Sequence, residues 1–176
     1  MFPLAMPAQL KHETVKVRDI VKDFRCGRWV VPEFQRDDVW GRSKSKASKL
    51  IESLYRRYPI SSMLIWQTQD HVRARHHEPR QASNTPVSWI IDGQQRVRTL
   101  NKAWLGDEGI DVAFNVETED FSQSNAATTK DRRWVRVAEM WEDDQFFSYR
   151  RNLPEDGKGR LIEQRLERLR RILDYD

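Results

Sequence analysis

Apolar residues recur along this chain at two spacings, and each spacing suits a different backbone. Steps of three and four place side chains on one stripe of a helix, whereas strict alternation places them on one face of a strand. Residues 43–58 carry Ala47, Leu50, Ile51, Leu54, Tyr55 and Tyr58 at helical steps. They predict an amphipathic helix with a basic outer face, stopped before Pro59. Residues 62–67 and 87–91 are short apolar runs with Trp66 and Trp89 inside them, and both read as buried strands. Helical steps return over residues 94–105 through Val97, Leu100, Asn101 and Trp104, so strand, sharp turn and helix follow one another closely here. Residues 110–116 alternate cleanly and predict a half-buried strand. Leu161, Ile162, Leu166, Leu169, Ile172 and Leu173 predict a C-terminal helix, with too few heptads for a free coiled coil.

The remaining segments are weaker signals. Residues 14–21 begin with alternation and pass to helical spacing through Phe24, which predicts a short strand and then a helix ending near Gly27. Residues 29–31 form a brief strand halted by Pro32, and 33–40 form a polar, aromatic loop. Residues 69–86 lack periodicity and read as a long surface loop, as do residues 122–129 on a smaller scale. A last strand is expected over 133–137, with a short helix from Ala138. The sum is an α/β (α+β) domain over residues 14–150, a small mixed sheet with flanking helices. A flexible tail (1–13) precedes it, and a C-terminal helix (151–176) follows that leads towards a further domain.

Composition narrows the class. The chain has 176 residues, 38% hydrophobic and 33% charged, with seven Trp and seven Phe as bulky core material. That is one domain with a real core rather than a disordered chain. Cys26 is the single cysteine, which excludes an internal disulfide framework and a cysteine-based zinc site and reads as intracellular. The apolar start is broken by Pro3 and Pro7 and has no basic flank, so no signal peptide is expected. No apolar run approaches the roughly 18 residues of a membrane span. A cytoplasmic protein with no membrane partner is the expectation. The net charge of +4 permits a polyanionic partner without demanding one.

Candidate chemistry concentrates where the strand at 87–91 runs into Asp92-Gly93-Gln94-Gln95-Arg96. A helix start offers backbone N–H groups without intrahelical partners, together with the positive end of the macrodipole. After a buried strand, such a start suits phosphate. Gly93 permits a tight reversal and close approach of a ligand to the backbone. Gln94 and Gln95 add amide donors and acceptors, and Arg96 can present a planar fork to phosphate oxygens. Asp92 can orient a Mg²⁺-bound water, hold a ribose hydroxyl, or position an attacking water. The plainer reading makes Asp92 an N-cap and Arg96 a solvated helix residue, but two consecutive glutamines serve neither capping nor packing.

A second constellation, Pro32-Glu33-Phe34-Gln35-Arg36, is weak alone, since a surface loop with Arg36 paired to Asp37 or Asp38 accounts for it. Together with the first it is not weak. The runs VPEFQRDDVW and IDGQQRVRTL, with the helix over 50–58 and the segment 59–66 between them, stand in the order and spacing of a known family. Over roughly residues 14–120 the chain resembles the N-terminal domain of GmrSD-type modification-dependent restriction enzymes, a relative of the ParB and sulfiredoxin-like nucleotide-binding fold. The resemblance implies a domain that binds and hydrolyses a nucleoside triphosphate (GTP, ATP or CTP) with Mg²⁺. It implies turnover coupled to recognition of DNA, including modified phage DNA, and to cleavage by a nuclease domain or subunit. It assigns Asp92, Gln95 and Arg96 to catalysis, with Asp92 or Gln95 holding the water, and Gly93 and Gln94 to the nucleotide. Gln35 and Arg36 become a second wall of that pocket or a DNA contact, and Thr99, one turn on, also faces the ligand. Two departures stand out. Asp37 and Asp38 crowd Arg36 with carboxylates where a single small or aromatic residue is usual, which lowers the phosphate affinity expected there. No His-Asn-His nuclease signature is present, so the nuclease is expected outside this sequence.

Other signals carry less. His71, His76, His77 and Glu78 share the long loop, where no rigid backbone fixes a ligand geometry, so no metal site is assigned. Arg73 and Arg75 in that loop are candidate DNA contacts, Arg80 beside them can touch phosphate too, and Arg133 and Arg136 flank Trp134 in a basic, aromatic cluster of the same promise. Against the enzymatic reading stand two others. In one, a non-catalytic DNA-binding module grips backbone phosphate with the 92–96 turn. In the other, a metal-dependent nickase acts through Asp92.

Overall fold

Among the described residues the strands form two three-stranded sheets. In the first, β3 (Val87–Asp92) lies between β1 (Trp29–Val30), parallel to it, and β2 (Leu64–Thr68), antiparallel to it. In the second, β4 (Val112–Asn115) lies between β5 (Phe121–Gln123) and β6 (Trp134–Arg136), antiparallel to both. Helix α1 (Val17–Arg25) precedes β1, α2 (Lys44–Tyr55) separates β1 from β2, and α3 (Gln94–Leu105) follows β3. After β5 come α4 (Ala126–Lys130), then β6, α5 (Val137–Trp141), α6 (Asp143–Arg151) and α7 (Gly157–Arg171), which ends in a 3-10 turn at Ile172–Asp174. The computed structural model describes residues 10–35, 44–68, 87–106 and 110–175. The architecture is α+β, with the expected mixed sheet, a second antiparallel one, and a C-terminal helix.

Several local expectations are corrected. Among the described residues no strand forms before α1: the Val17 amide donates to the Tyr175 carbonyl (3.0 Å) and ties this segment to the chain's far end instead of to a sheet. β2 is not buried: it is an edge strand, and Leu64 and Trp66 stay 47% and 41% exposed. β4, expected to be half-buried, is buried at all four positions, since it is the central strand and both α2 and α5 pack against it. Residues 122–129 are not one loop but the end of β5 and most of α4. Asn125 caps that helix, its Oδ1 accepting from the Ala127 and Thr128 amides (2.8 and 3.1 Å) while Thr128 Oγ1 accepts from the Asn125 amide (2.8 Å). Two bonds made reciprocally around one turn stabilise a helix too short to persist alone.

Burial divides into two clusters. The larger gathers Ile51, Tyr55, Phe114, Val137 and Trp141 with Leu166, Leu169 and Ile172 of the chain's end. Tyr55, Phe114 and Phe121 stack on one another at 4.9 to 5.3 Å between ring centroids. The smaller cluster is Ile20, Phe24, Val31, Ile90 and Val97. Helix α3 belongs to both, with Val97 in the smaller and Leu100 and Ala103 in the larger. It is therefore buried on more than one stripe, which is why Gln94, Gln95, Arg98 and Thr99 are covered as well as its apolar residues.

Candidate functional site

β3 gives way to α3 at Gly93, with φ 95° and ψ 2°. Any other residue pays about 1–2 kcal/mol for that left-handed conformation. Space forbids one too, since a Cβ here would lie 2.8 Å from Met63 Cγ. The bend brings Asp92, at the end of β3, and Arg96, in the first turn of α3, to the same side. Arg96 Nη2 donates to Asp92 Oδ2 at 3.1 Å. The two differ sharply in exposure, 72% for the Asp92 side chain and 11% for that of Arg96.

Arg96 does not lie open to solvent. Its Nη1 donates to the carbonyls of Ile60 (2.7 Å) and Ser61 (2.8 Å), in the connection between α2 and β2. Ser61 itself has φ 70°. The fork that the sequence offers to phosphate is thus engaged by backbone oxygens and by Asp92.

The glutamines form the floor. Gln94 and Gln95 are buried, and Gln94 Nε2 donates to Gln35 Oε1 at 3.2 Å. Gln35 Nε2 in turn donates to the Ile91 carbonyl at 2.8 Å, and the Gln35 amide closes a turn on the Pro32 carbonyl at 3.1 Å. The structure therefore brings Gln35 to the 92–96 turn, as the pairing of the two motifs leads one to expect. Phe34, beside it, is exposed. Gly93 as N-cap supplies no side-chain acceptor to the first turn of α3. Thr99 is buried inside α3's packing.

The other candidates stand elsewhere. Arg133 and Arg136 belong to the second sheet. Arg133 grips Asp131 with Nε and Nη2 (3.0 and 2.7 Å), and that bond holds the Asp131 carboxyl below its ordinary range. Arg136 is bonded to Asp111 (2.6 Å) and Glu139 (3.1 Å), and the Asp111 bond first of all favours its charged form. Its Nη2 also lies 3.4 Å from the carbonyl of Gly106, which ends α3. A cation there complements the negative end of the helix dipole. Arg36, Arg73, Arg75 and Arg80, like Asp37, Asp38, His71, His76, His77 and Glu78, lie outside the described residues. Among the described residues no group of three or more His, Cys, Asp or Glu could hold a metal ion, and no helix is long and apolar enough to cross a membrane.

One buried charge escapes sequence reading. Arg98 is covered and has a partner within the protein, four residues after Gln94 on the same side of α3. A charged residue in a polar stretch reads as solvated; only its i+4 relation to a buried Gln hints otherwise.

Comparison with known proteins agrees with this picture. Residues 17–174 match the family described as the N-terminal domain of the GmrSD restriction endonuclease. The match extends through α7, well past the segment that carries the motifs. The chain is also 31% identical over 101 residues to an uncharacterized protein of Methanocaldococcus jannaschii, covering 52% of this chain and 17% of that protein. It thus spans a small part of that relative's length. By a match that takes in almost every residue from α1 to the final turn, this chain belongs to the GmrSD restriction endonuclease N-terminal domain family.

Proposed function

We propose that the domain serves a DNA restriction system as its nucleotide-handling part. It binds a nucleoside triphosphate with Mg²⁺ at the start of α3, hydrolyses it when DNA is engaged, and works with a nuclease domain or subunit. The kinship to ParB and sulfiredoxin-like folds is part of the same proposal. The observation that supports it most is the build of the turn: an exposed carboxylate on the last residue of β3, directly before a helix start whose N-cap is glycine.

The residues present fit such a ligand. A triphosphate is a dense anion, and the start of a twelve-residue helix supplies N–H groups and dipole charge towards it. Mg²⁺ takes one or two carboxylates and completes its shell with water and phosphate oxygens, so Asp92 suffices even though the described residues contain no cluster of three or more ligands. The bound ion would neutralise charge on the phosphates. Asp92 then has two tasks open to it, holding that ion's water or orienting the attacking one. Gln95 is buried and has a partner within the protein, so the outward-facing Asp92 takes the water-positioning role in this reading. Gln35 and Gln94 hold the 32–35 turn against the site and keep its floor rigid.

Phosphate release from each of the four NTPs, with and without DNA, tests this on the wild type and on Asp92→Asn. Turnover that DNA stimulates, and that falls by about a hundredfold or more in Asp92→Asn, is expected for a residue that positions water or metal. A wild type that binds no triphosphate ends the reading. DNA binding without any turnover would point to the non-catalytic module, and nicking of supercoiled plasmid in Mg²⁺ to the nickase.

A further inference from the structure

At the turn, Arg96 is engaged through both of its Nη atoms. A guanidinium Nη carries two hydrogens, and Nη1 directs its pair at two carbonyls, those of Ile60 and Ser61. Nη2 reaches Asp92. With 11% of the side chain exposed, the group is walled by protein. A phosphate oxygen could use the face that now holds the carbonyls only by displacing them.

The carbonyls are themselves held in an uncommon arrangement. Ser61 has φ 70°, a conformation that costs a non-glycine residue about 1–3 kcal/mol and persists where the surroundings enforce it. The two charge-assisted bonds from Arg96 are one such enforcement. Met63, two residues on, covers Gly93 so closely that no Cβ fits between them. A single guanidinium therefore joins three things: the α2–β2 connection, the first turn of α3, and the carboxylate that faces outward.

We infer that Arg96 is a positioning residue and not a phosphate ligand: it locks the Ile60–Ser61 connection over the turn and fixes the direction of Asp92. This rests on the reading that the turn handles a nucleoside triphosphate. Asp92 is 72% exposed, and Arg96 is the partner that the structure shows for it. Without that bond the carboxylate samples other rotamers, and the geometry for chemistry is lost while the helix start, which would hold the phosphates, stays in place. Because Arg96 acts through Asp92, removing both should cost little more than removing Asp92.

The full chain tests this with Arg96→Ala, Arg96→Lys, Asp92→Asn and the double variant Arg96→Ala/Asp92→Asn. The dissociation constant is read with the β,γ-imido analogue of whichever triphosphate turns over fastest. Arg96→Ala is expected to leave that constant within about threefold while kcat falls about tenfold or more, and the double variant to lie within about twofold of Asp92→Asn. Arg96→Lys can still donate to both carbonyls but lacks the planar fork, so it should recover thermal stability more than kcat. It also carries the comparison if Arg96→Ala does not fold. Affinity lost by more than about tenfold with kcat retained, or losses that multiply in the double variant, would overturn the inference in favour of a phosphate ligand. If the wild type neither binds nor hydrolyses any triphosphate, the preceding proposal fails on its own. Amide hydrogen exchange at residues 60–63 then decides the clamp. Exchange about tenfold faster in Arg96→Ala than in Asp92→Asn, with Arg96→Lys between the two, supports it, and equal protection in Arg96→Ala and Asp92→Asn overturns it.

Discussion

At Gly93 two demands coincide that no side chain meets, a left-handed backbone and a neighbour 2.8 Å from where Cβ would sit. Gly93→Ala is expected to lose about 1–2 kcal/mol to the backbone and a further 1–3 kcal/mol to overpacking against Met63. In a chain of this size each kcal/mol lowers the thermal midpoint by roughly 2–4 °C. Calorimetry reads the loss, and an unchanged midpoint would contradict it. The requirement for glycine was legible in the sequence, because a strand, Asp-Gly and a helix in immediate succession leave the chain no other way to turn. The destination of the Arg96 fork was not. Its acceptors are backbone carbonyls 35 and 36 residues away, and a carbonyl leaves no trace in residue identity. The same holds for Arg98, whose burial follows from the position of α3 between two clusters and not from its neighbours in the chain.

Elements were read well where they carry a long apolar period and poorly where they do not. α3 was expected over residues 94–105 and is found at Gln94–Leu105, because strand, turn and stripe all mark its start. α6 buries only Phe146, so no stripe announces it, and α4 depends on a capping box inside a run that reads as polar loop. Between elements, one polar junction has a pH signature. Tyr55 of α2 donates to Glu119 (3.0 Å) in the turn from β4 to β5, Arg165 of α7 pairs with the same carboxylate (2.8 Å), and the Arg168 guanidinium lies 4.4 Å over the Tyr55 ring. Burial, and then the bond to Glu119, push the Tyr55 phenol well above its ordinary value. A proton held more tightly in the folded than in the unfolded chain stabilises fully below the unfolded value of about 10, and the benefit is lost as pH rises beyond it. Tyr55→Phe should therefore be about 1 kcal/mol less stable than wild type near neutrality. Its stability should fall less steeply above about pH 10. Parallel slopes in urea melts across that range would remove the explanation.

On the scale of the whole molecule, the C-terminal helix is part of the main core. Ile162, Leu166 and Leu169 pack with residues of α2, β4 and α5, and the Trp141 Nε1 donates to the Leu169 carbonyl at 3.1 Å. Leu166, fully buried, should cost about 2–5 kcal/mol as Leu166→Ala, the range for cavities opened in close-packed interiors. Chemical denaturation measures this, and a loss below about 1 kcal/mol would mean that the helix is only loosely seated. A chain ended before α7 should not reach a cooperative fold, and circular dichroism on such a truncation checks it. The sequence stripe of leucines foretold that this helix packs somewhere, but the partner helix α5 could not be named, because nothing in the spacing of either stripe says which one it meets.

Helix α3 begins at the glycine turn and ends at Gly106 against Arg136, with its first half seated in one cluster and its second half in the other. Twelve residues make a strut about 18 Å long. Close-packed interiors do not deform gradually, so a push delivered at Asp92 cannot dissipate within the first turn. The expectation is that it is carried along the rod towards the β6–α5 corner. The helix is in this sense a rigid spacer between the glycine turn and the corner that Arg136 holds.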